Sequence, residues 1–249
     1  MAYQFTLRTA AANLGIALVF VLPAHAASVS GQGTWETTLL GRDINRNAVT
    51  ATDASVVYLY DTTLNVTWLR DANVNGQMTW ANANTWAANL SMGSGSLAID
   101  DWRLPIMAPN PAFNLSFDGS TARGYNVPGS SSEMASLFFD TLGNRSIFNT
   151  SGSRIADSSL TNTGSFQNIH TDWYWSGTQS MNIPSYAWMF APGQNGQAVQ
   201  SKDWTYFALA VRPGDVLISA VPEPETYALM VAGLGLIGAV ARRRKSKQT

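Results

Sequence analysis

Thr79-Trp80-Ala81-Asn82-Ala83-Asn84-Thr85-Trp86-Ala87-Ala88-Asn89-Leu90 is the stretch whose reading decides the fold class. Trp80, Ala83, Trp86, Ala87 and Leu90 recur at helical spacing and form one apolar face. Thr79 stands where an N-cap hydroxyl accepts from the first free backbone N–H groups. Both flanks read differently. Upstream, 33–40, 56–60 and 65–69 are β-branched and aromatic runs between turn formers, so they predict strands, with Asp61-Thr62-Thr63 as a turn. Downstream, 93–96 breaks the helix, Asp101-Trp102-Arg103-Leu104-Pro105 follows, and 106–130 is a polar, Pro- and Gly-rich surface insertion. Ser130-x-x-Glu133 has the form of a capping box for a second helix carrying Met134, Leu137, Phe138 and Leu142 and stopping at Gly143. After another polar stretch to about residue 170, 173–178, 186–190 and 204–212 are strand-like again. Strands, two helices and more strands, joined by long loops, predict an α+β domain.

Composition narrows the chemistry. The chain has no cysteine, which removes thiol nucleophiles, thiolate zinc sites and iron–sulfur clusters and leaves stability to packing. His25 and His170 are the two histidines, so a His-based triad or metal site in the body has one imbidazole to draw on. Residues 27–217 hold nine Lys or Arg against fourteen Asp or Glu. That mildly acidic balance excludes nucleic acid as a partner, because phosphate neutralisation needs a basic face. The surface must be built of Asn, Ser, Thr, Gly and Gln, which suits a sugar-rich extracellular matrix.

The termini address the chain. Arg8, the apolar run 10–22 and Ala24-His25-Ala26 have the order of a secretory signal peptide, residues 1–26, with a small-x-small cleavage site. At the other end stand Val221-Pro222-Glu223-Pro224-Glu225-Thr226, an uncharged run 227–241, and Arg242-Arg243-Arg244-Lys245. Two prolines keep the first part extended. As a helix the apolar run spans about 22 Å at ~1.5 Å per residue, short of a ~30 Å hydrocarbon core. The basic cluster stays on the cytoplasmic side. This order resembles the PEP-CTERM sorting signal, here 218–249. The resemblance implies that an exosortase-type protease recognises Pro222, Glu223 and Pro224, with Arg242, Arg243 and Arg244 as the stop. It also implies that the chain is membrane-anchored only until the tail is cut, and that the body then reaches the cell surface or matrix.

The body carries a second resemblance. Tyr60-Asp61, Asn65-x-x-Trp68, Thr79-Trp80, Asp101-Trp102-Arg103-Leu104-Pro105, Glu133-Met134-x-x-Leu137, Tyr174-Trp175-Ser176-Gly177-Thr178, Ala187-Trp188-x-Phe190 and Ala210-Val211-Arg212-Pro213 stand in order over about 55–215. Together they resemble the Lcl-type C-terminal domain, similar to the C-type-lectin-like fold of formylglycine-generating enzymes. The catalytic cysteines of those relatives are absent, so that activity does not carry over. From the residues themselves, Trp68, Trp80, Trp86, Trp102 and Trp175 read as core, and Asp101 beside Arg103 as an ion pair.

Two function classes follow. In the first, a non-enzymatic body binds glycan or matrix through aromatic side chains on its loops, 106–130 and 179–205; all nine tryptophans lie in the body, and Trp173, Trp188 and Trp204 stand nearest polar loops. Extracellular polysaccharide is the partner of that reading. In the second, a glycan hydrolase uses a carboxylate pair such as Asp101 with Glu133, or Asp172 with Asp203, about 5–9 Å apart. The residues favour the first class, with no cofactor. Asp71-x-Asn73-x-Asn75-Gly76 matches the first half of a calcium loop, but Asn82 stands where the bidentate Glu belongs, so a cap-leading Asn-Gly turn competes with a weak calcium site.

Overall fold

A computed structural model describes residues 27–108, 112–156, 158–217 and Leu234. The expected signal peptide, 1–26, and the apolar run 227–241, expected as a helix, lie outside the described residues, apart from Leu234. Among the described residues no helix is long and apolar enough to cross a membrane.

The body is sheet-rich with few helices. Its elements run α1 (Trp35–Thr38), β1 (Leu39–Asp43), β2 (Ala48–Val49), β3 (Val56–Asp61), β4 (Val66–Leu69), β5 (Met78–Thr79) and α2 (Trp80–Asn89). Then follow β6 (Gly124–Tyr125), α3 (Glu133–Ala135), β7 (Tyr174–Gln179), β8 (Tyr186–Ala191), β9 (Gly196–Ser201), β10 (Thr205–Tyr206) and β11 (Val211–Pro213). One antiparallel sheet has the order β11-β4-β3-β1-β2, a second β6-β9-β8-β7, and β5 pairs with β10 as a short ribbon. β11 also exchanges two backbone bonds with Arg103, at 2.8 and 2.9 Å between Arg103 and Val211. The Trp102-Arg103-Leu104 segment thus extends the sheet beside β11.

The expected core tryptophans Trp68, Trp102 and Trp175 are buried. Trp102 stacks on Tyr58 at 5.8 Å, and its indole N–H donates to Ile99 O at 3.2 Å. Trp175 donates to Met78 O at 2.9 Å, so the polar edge of each ring is satisfied while its face fills the core. The helix α2 forms as its spacing predicts, with Thr79 Oγ1 accepting from Asn82 N. Its buried residues are Ala83 and Ala87, small enough to let the helix backbone approach Trp175 and Leu104. Trp80 and Trp86, expected in the core, flank that contact half-buried.

Several local expectations are corrected. The run 33–40 is not one strand. Thr37 and Thr38 turn both their N–H groups and their hydroxyls onto Thr34 O, at 2.9–3.0 Å, and close the helical turn α1 before β1 begins. The second helix is capped by Ser132, not Ser130, with Ser132 Oγ accepting from Ala135 N. After Ala135 it widens into a π-helix, Ser136–Thr141, and Leu142 N reaches back five residues to Leu137 O. Its stop at Gly143 holds: φ is +66°, and a Cβ there would fall 2.5 Å from Gly33 N. Arg103 pairs with Glu133 rather than Asp101, in two bonds of 2.7 Å. Asp101 pairs with Arg212 instead, at 2.5 and 2.7 Å. The run 204–212 is two short strands, β10 and β11, because the buried residues 207–210 cross between sheets: Phe207 exchanges backbone bonds with Trp173 and Trp175, and Ala210 O accepts from Leu69 N. Finally, 179–205 is mostly the β8–β9 hairpin and not a long loop.

Candidate functional site

The surface best built for stacking lies where the β5–β10 ribbon meets the start of α2. Thr79 pairs with Thr205 and Met78 with Tyr206, which brings the turn after β9 over Trp80. Trp80 N donates to Lys202 O at 3.2 Å, and its indole N–H donates to Ser176 O at 2.8 Å. Lys202 lies with Nζ 4.4 Å from the Trp80 ring centroid and is held there by Gln179 Oε1 and Pro184 O, at 2.8 and 2.7 Å. Three contacts fix an ammonium that would otherwise sample many rotamers. Two residues on, Trp204 is 59% exposed, with its backbone N–H turned back onto Ser201 O. Met181, in the loop joining β7 to β8, is also exposed.

The three expected binding tryptophans therefore separate. Trp204 is presented to solvent. Trp173 is half-buried against the cluster formed by Trp175, Met78 and Ala208. Trp188 is a correction: it is 2% exposed because position 188 on the central strand β8 points into the core, where the ring meets Phe113 edge-on at 5.9 Å. Lys202 and Trp80 were not among the residues expected at the site. A signal for them exists, since Lys202 is the one lysine within 27–217 and it stands beside Trp204.

The carboxylates of the alternative chemistry are each engaged. Glu133 holds Arg103 and also accepts from Ile106 N at 2.8 Å. The Arg212 guanidinium beside Asp101 holds its carboxyl below the ordinary value. Asp172 accepts from Trp173 N and Gln77 Nε2, and Asp203 Oδ2 accepts from Ser201 Oγ. His170 stacks on Phe207 at 4.1 Å, and its Nε2 lies 2.9 Å from Asn73 Nδ2. At the half-matched calcium loop, Asp71 accepts from Asn73 N and Asn168 Nδ2, at 2.9 and 3.0 Å, an Asx-type turn. No group of three His, Asp or Glu able to hold a metal occurs among the described residues.

Two open clefts, each of about 290 Å³, lie away from the aromatic surface. Gln32, Gly143, Arg145, Ser158 and Thr161 line the first. The second, lined by Arg46, Ala98, Asp100, Asp101, Arg212 and Asp215 among others, opens where the body ends. A few residues beyond it, comparison with family models gives a match. Residues 220–245 carry the PEP-CTERM protein-sorting motif. The matched stretch contains Pro222, Glu223, Pro224, Arg242, Arg243 and Arg244, and the motif marks the chain for exosortase and for the cell surface or exterior. No curated protein and no solved structure matches the chain significantly.

Proposed function

We propose that this is a cell-surface or exopolysaccharide-matrix protein whose body is a non-enzymatic, glycan- or matrix-binding domain of Lcl-type, C-type-lectin-like architecture. An exosortase-type protease removes the tail after a transient stage in which 227–241 holds the chain in the membrane. The observation that carries the binding reading is the exposed Trp204 beside the Lys202–Trp80 pair. An indole face offers apolar area to the C–H face of a sugar ring, and the fixed ammonium and the Gln179 amide offer hydrogen bonds to hydroxyls. Little has to be ordered on binding, because backbone and side-chain contacts already hold the turn. The non-enzymatic reading is supported by carboxylates that are tied to arginines, backbone amides or turns.

A glycan array and polysaccharide-affinity retention, run on the purified body with and without calcium, test this. Trp204→Ala should weaken retention at least about tenfold, equivalent to about 1.4 kcal/mol, with an unchanged melting curve. Retention that survives Trp204→Ala and Lys202→Ala together would remove the aromatic surface from the binding role. Polysaccharide turnover by the pure body, abolished by Glu133→Gln with folding intact, would replace binding with hydrolysis.

A further inference from the structure

The body does not trail off before its sorting motif; it ends in a clasp. Gly214 N donates to Asn65 O at 2.8 Å, and Gly214 O accepts from Thr67 Oγ1 at 2.7 Å. Asp215 accepts two bonds from Arg42, from Nε at 3.0 Å and Nη2 at 2.6 Å, and that arginine is buried. Asp215 Oδ1 also accepts from Leu217 N at 2.9 Å, and Val216 packs into the core. The chain is thus held as far as Leu217, while the sorting motif begins at residue 220.

This leaves little slack. Pro222 follows Leu217 by five residues, at most about 18 Å of fully extended chain at ~3.3–3.6 Å per residue. That limit holds whatever conformation those residues take. A domain of about 190 residues has a radius of gyration of about 16 Å, so a protease gripping Pro222-Glu223-Pro224 must come against the face of the body from which the chain leaves.

That face is shaped. The cleft of about 290 Å³ there is lined by Arg46, Ala98, Asp100, Arg212 and Leu217 among others. Arg46 Nε is enclosed without a hydrogen-bond partner, and Arg46 forms no ion pair among the described residues. Leu217, in the lining, exposes apolar surface. Resting on the reading of the motif as a processed signal, we propose that this cleft is a docking surface for the sorting protease, engaged while the protease holds the Pro-Glu-Pro segment.

The test follows processing of the full chain, tagged after Thr249, in an exosortase-bearing host, by the rate at which the tag is lost. Ala98→Trp fills the cleft from an exposed position, and Arg46→Glu replaces a cation of its lining with an anion. Each should slow tag loss at least about threefold while the exported body keeps its melting temperature. A 20-residue Gly-Ser linker placed after Leu217 should restore the wild-type rate in both variants, because the protease then no longer has to meet the cleft. Wild-type rates in both variants without the linker would overturn the proposal. Slowing that persists with the linker would also overturn it, by pointing to export or folding. A wild-type chain that keeps its tail would overturn the sorting reading along with it, an outcome distinct from the other two.

Discussion

The five-stranded sheet and the segment 143–170 both have buried backbone to satisfy, and they do it by a different balance of means. In the sheet, ladder bonds pair the backbone, and Tyr58 on one face and Leu59 with Trp68 on the other are packed in the core. In the segment, isolated backbone bridges such as Arg145–Ser159 and Phe148–Arg154 are joined by side chains that bond the backbone directly. Asn144 Oδ1 accepts from Thr161 N and Asn162 N, at 2.9 and 2.8 Å, and its Nδ2 donates to Asn162 O. Asn162 Oδ1 accepts from Val29 N and Gly164 N, and its Nδ2 donates to Gln32 O and Leu142 O. Arg70 adds bonds to Ser165 O, Asp53 O and Val56 O. The difference is one of redundancy. Apolar contacts are numerous and fail gradually, whereas one amide holding four backbone groups fails all at once.

The comparison can be broken at either end. The largest loss should come from the apolar side: Trp102→Ala, measured by chemical denaturation of the purified body, should cost about 3–5 kcal/mol. A folded, equally stable Trp102→Ala body that had lost only ligand binding would reverse its scaffold assignment. Asn162→Ala should follow at about 2–3 kcal/mol, because several buried backbone groups lose their partner together. If Asn162→Ala costs less than about 0.5 kcal/mol, water replaces the amide and the segment is not held as described.

A charge effect sharpens the contrast. Asp61 is buried at the β3–β4 turn, where it accepts from Thr63 N and Leu64 N, and burial raises its carboxyl above the ordinary value. A carboxyl raised in the folded state contributes stability below its unfolded value, near 3.9, and that contribution fades as pH rises through the folded value. Asp61→Asn keeps an acceptor at Oδ1 but cannot ionise. Its stability relative to wild type should therefore improve between pH 4 and pH 7, read from paired melts; a difference that is flat or opposite in sign would show that the turn bonds outweigh burial. The smallest expected change in stability is at Trp204, whose replacement by Ala should stay within about 0.5 kcal/mol while binding falls.

The sequence exposes the parts of this molecule whose pattern is local. The helix α2 follows from its own apolar spacing and Thr79, and β3 and β4 from β-branched runs around an Asp-Thr-Thr turn. Where partners are distant, neighbours in sequence mislead. Asp101 and Arg103 are two residues apart, yet each finds an opposite charge elsewhere, at Arg212 and Glu133. β9 is hidden because Gly196-Gln197-Ala198-Val199-Gln200-Ser201 is mostly polar and earns its strand by pairing with β8. Among the tryptophans, Trp204 is distinguished by exposure, which follows from the turn that carries it, while Trp188 sits on a central strand that is buried on both faces. The Lys202–Trp80 contact joins residues far apart in the chain, so neither residue signals it alone.

The position of β11 sets an order of events in export. This last strand lies between β4 and Arg103, so the sheet has no complete register until residues 211–213 have crossed the membrane. By then nearly the whole body is outside, and Pro222 is only nine residues behind the strand's last residue. Pairings of such long sequence separation form late. Completion of the fold is therefore tied to the sorting signal, because the residues that close the sheet stand directly ahead of the motif.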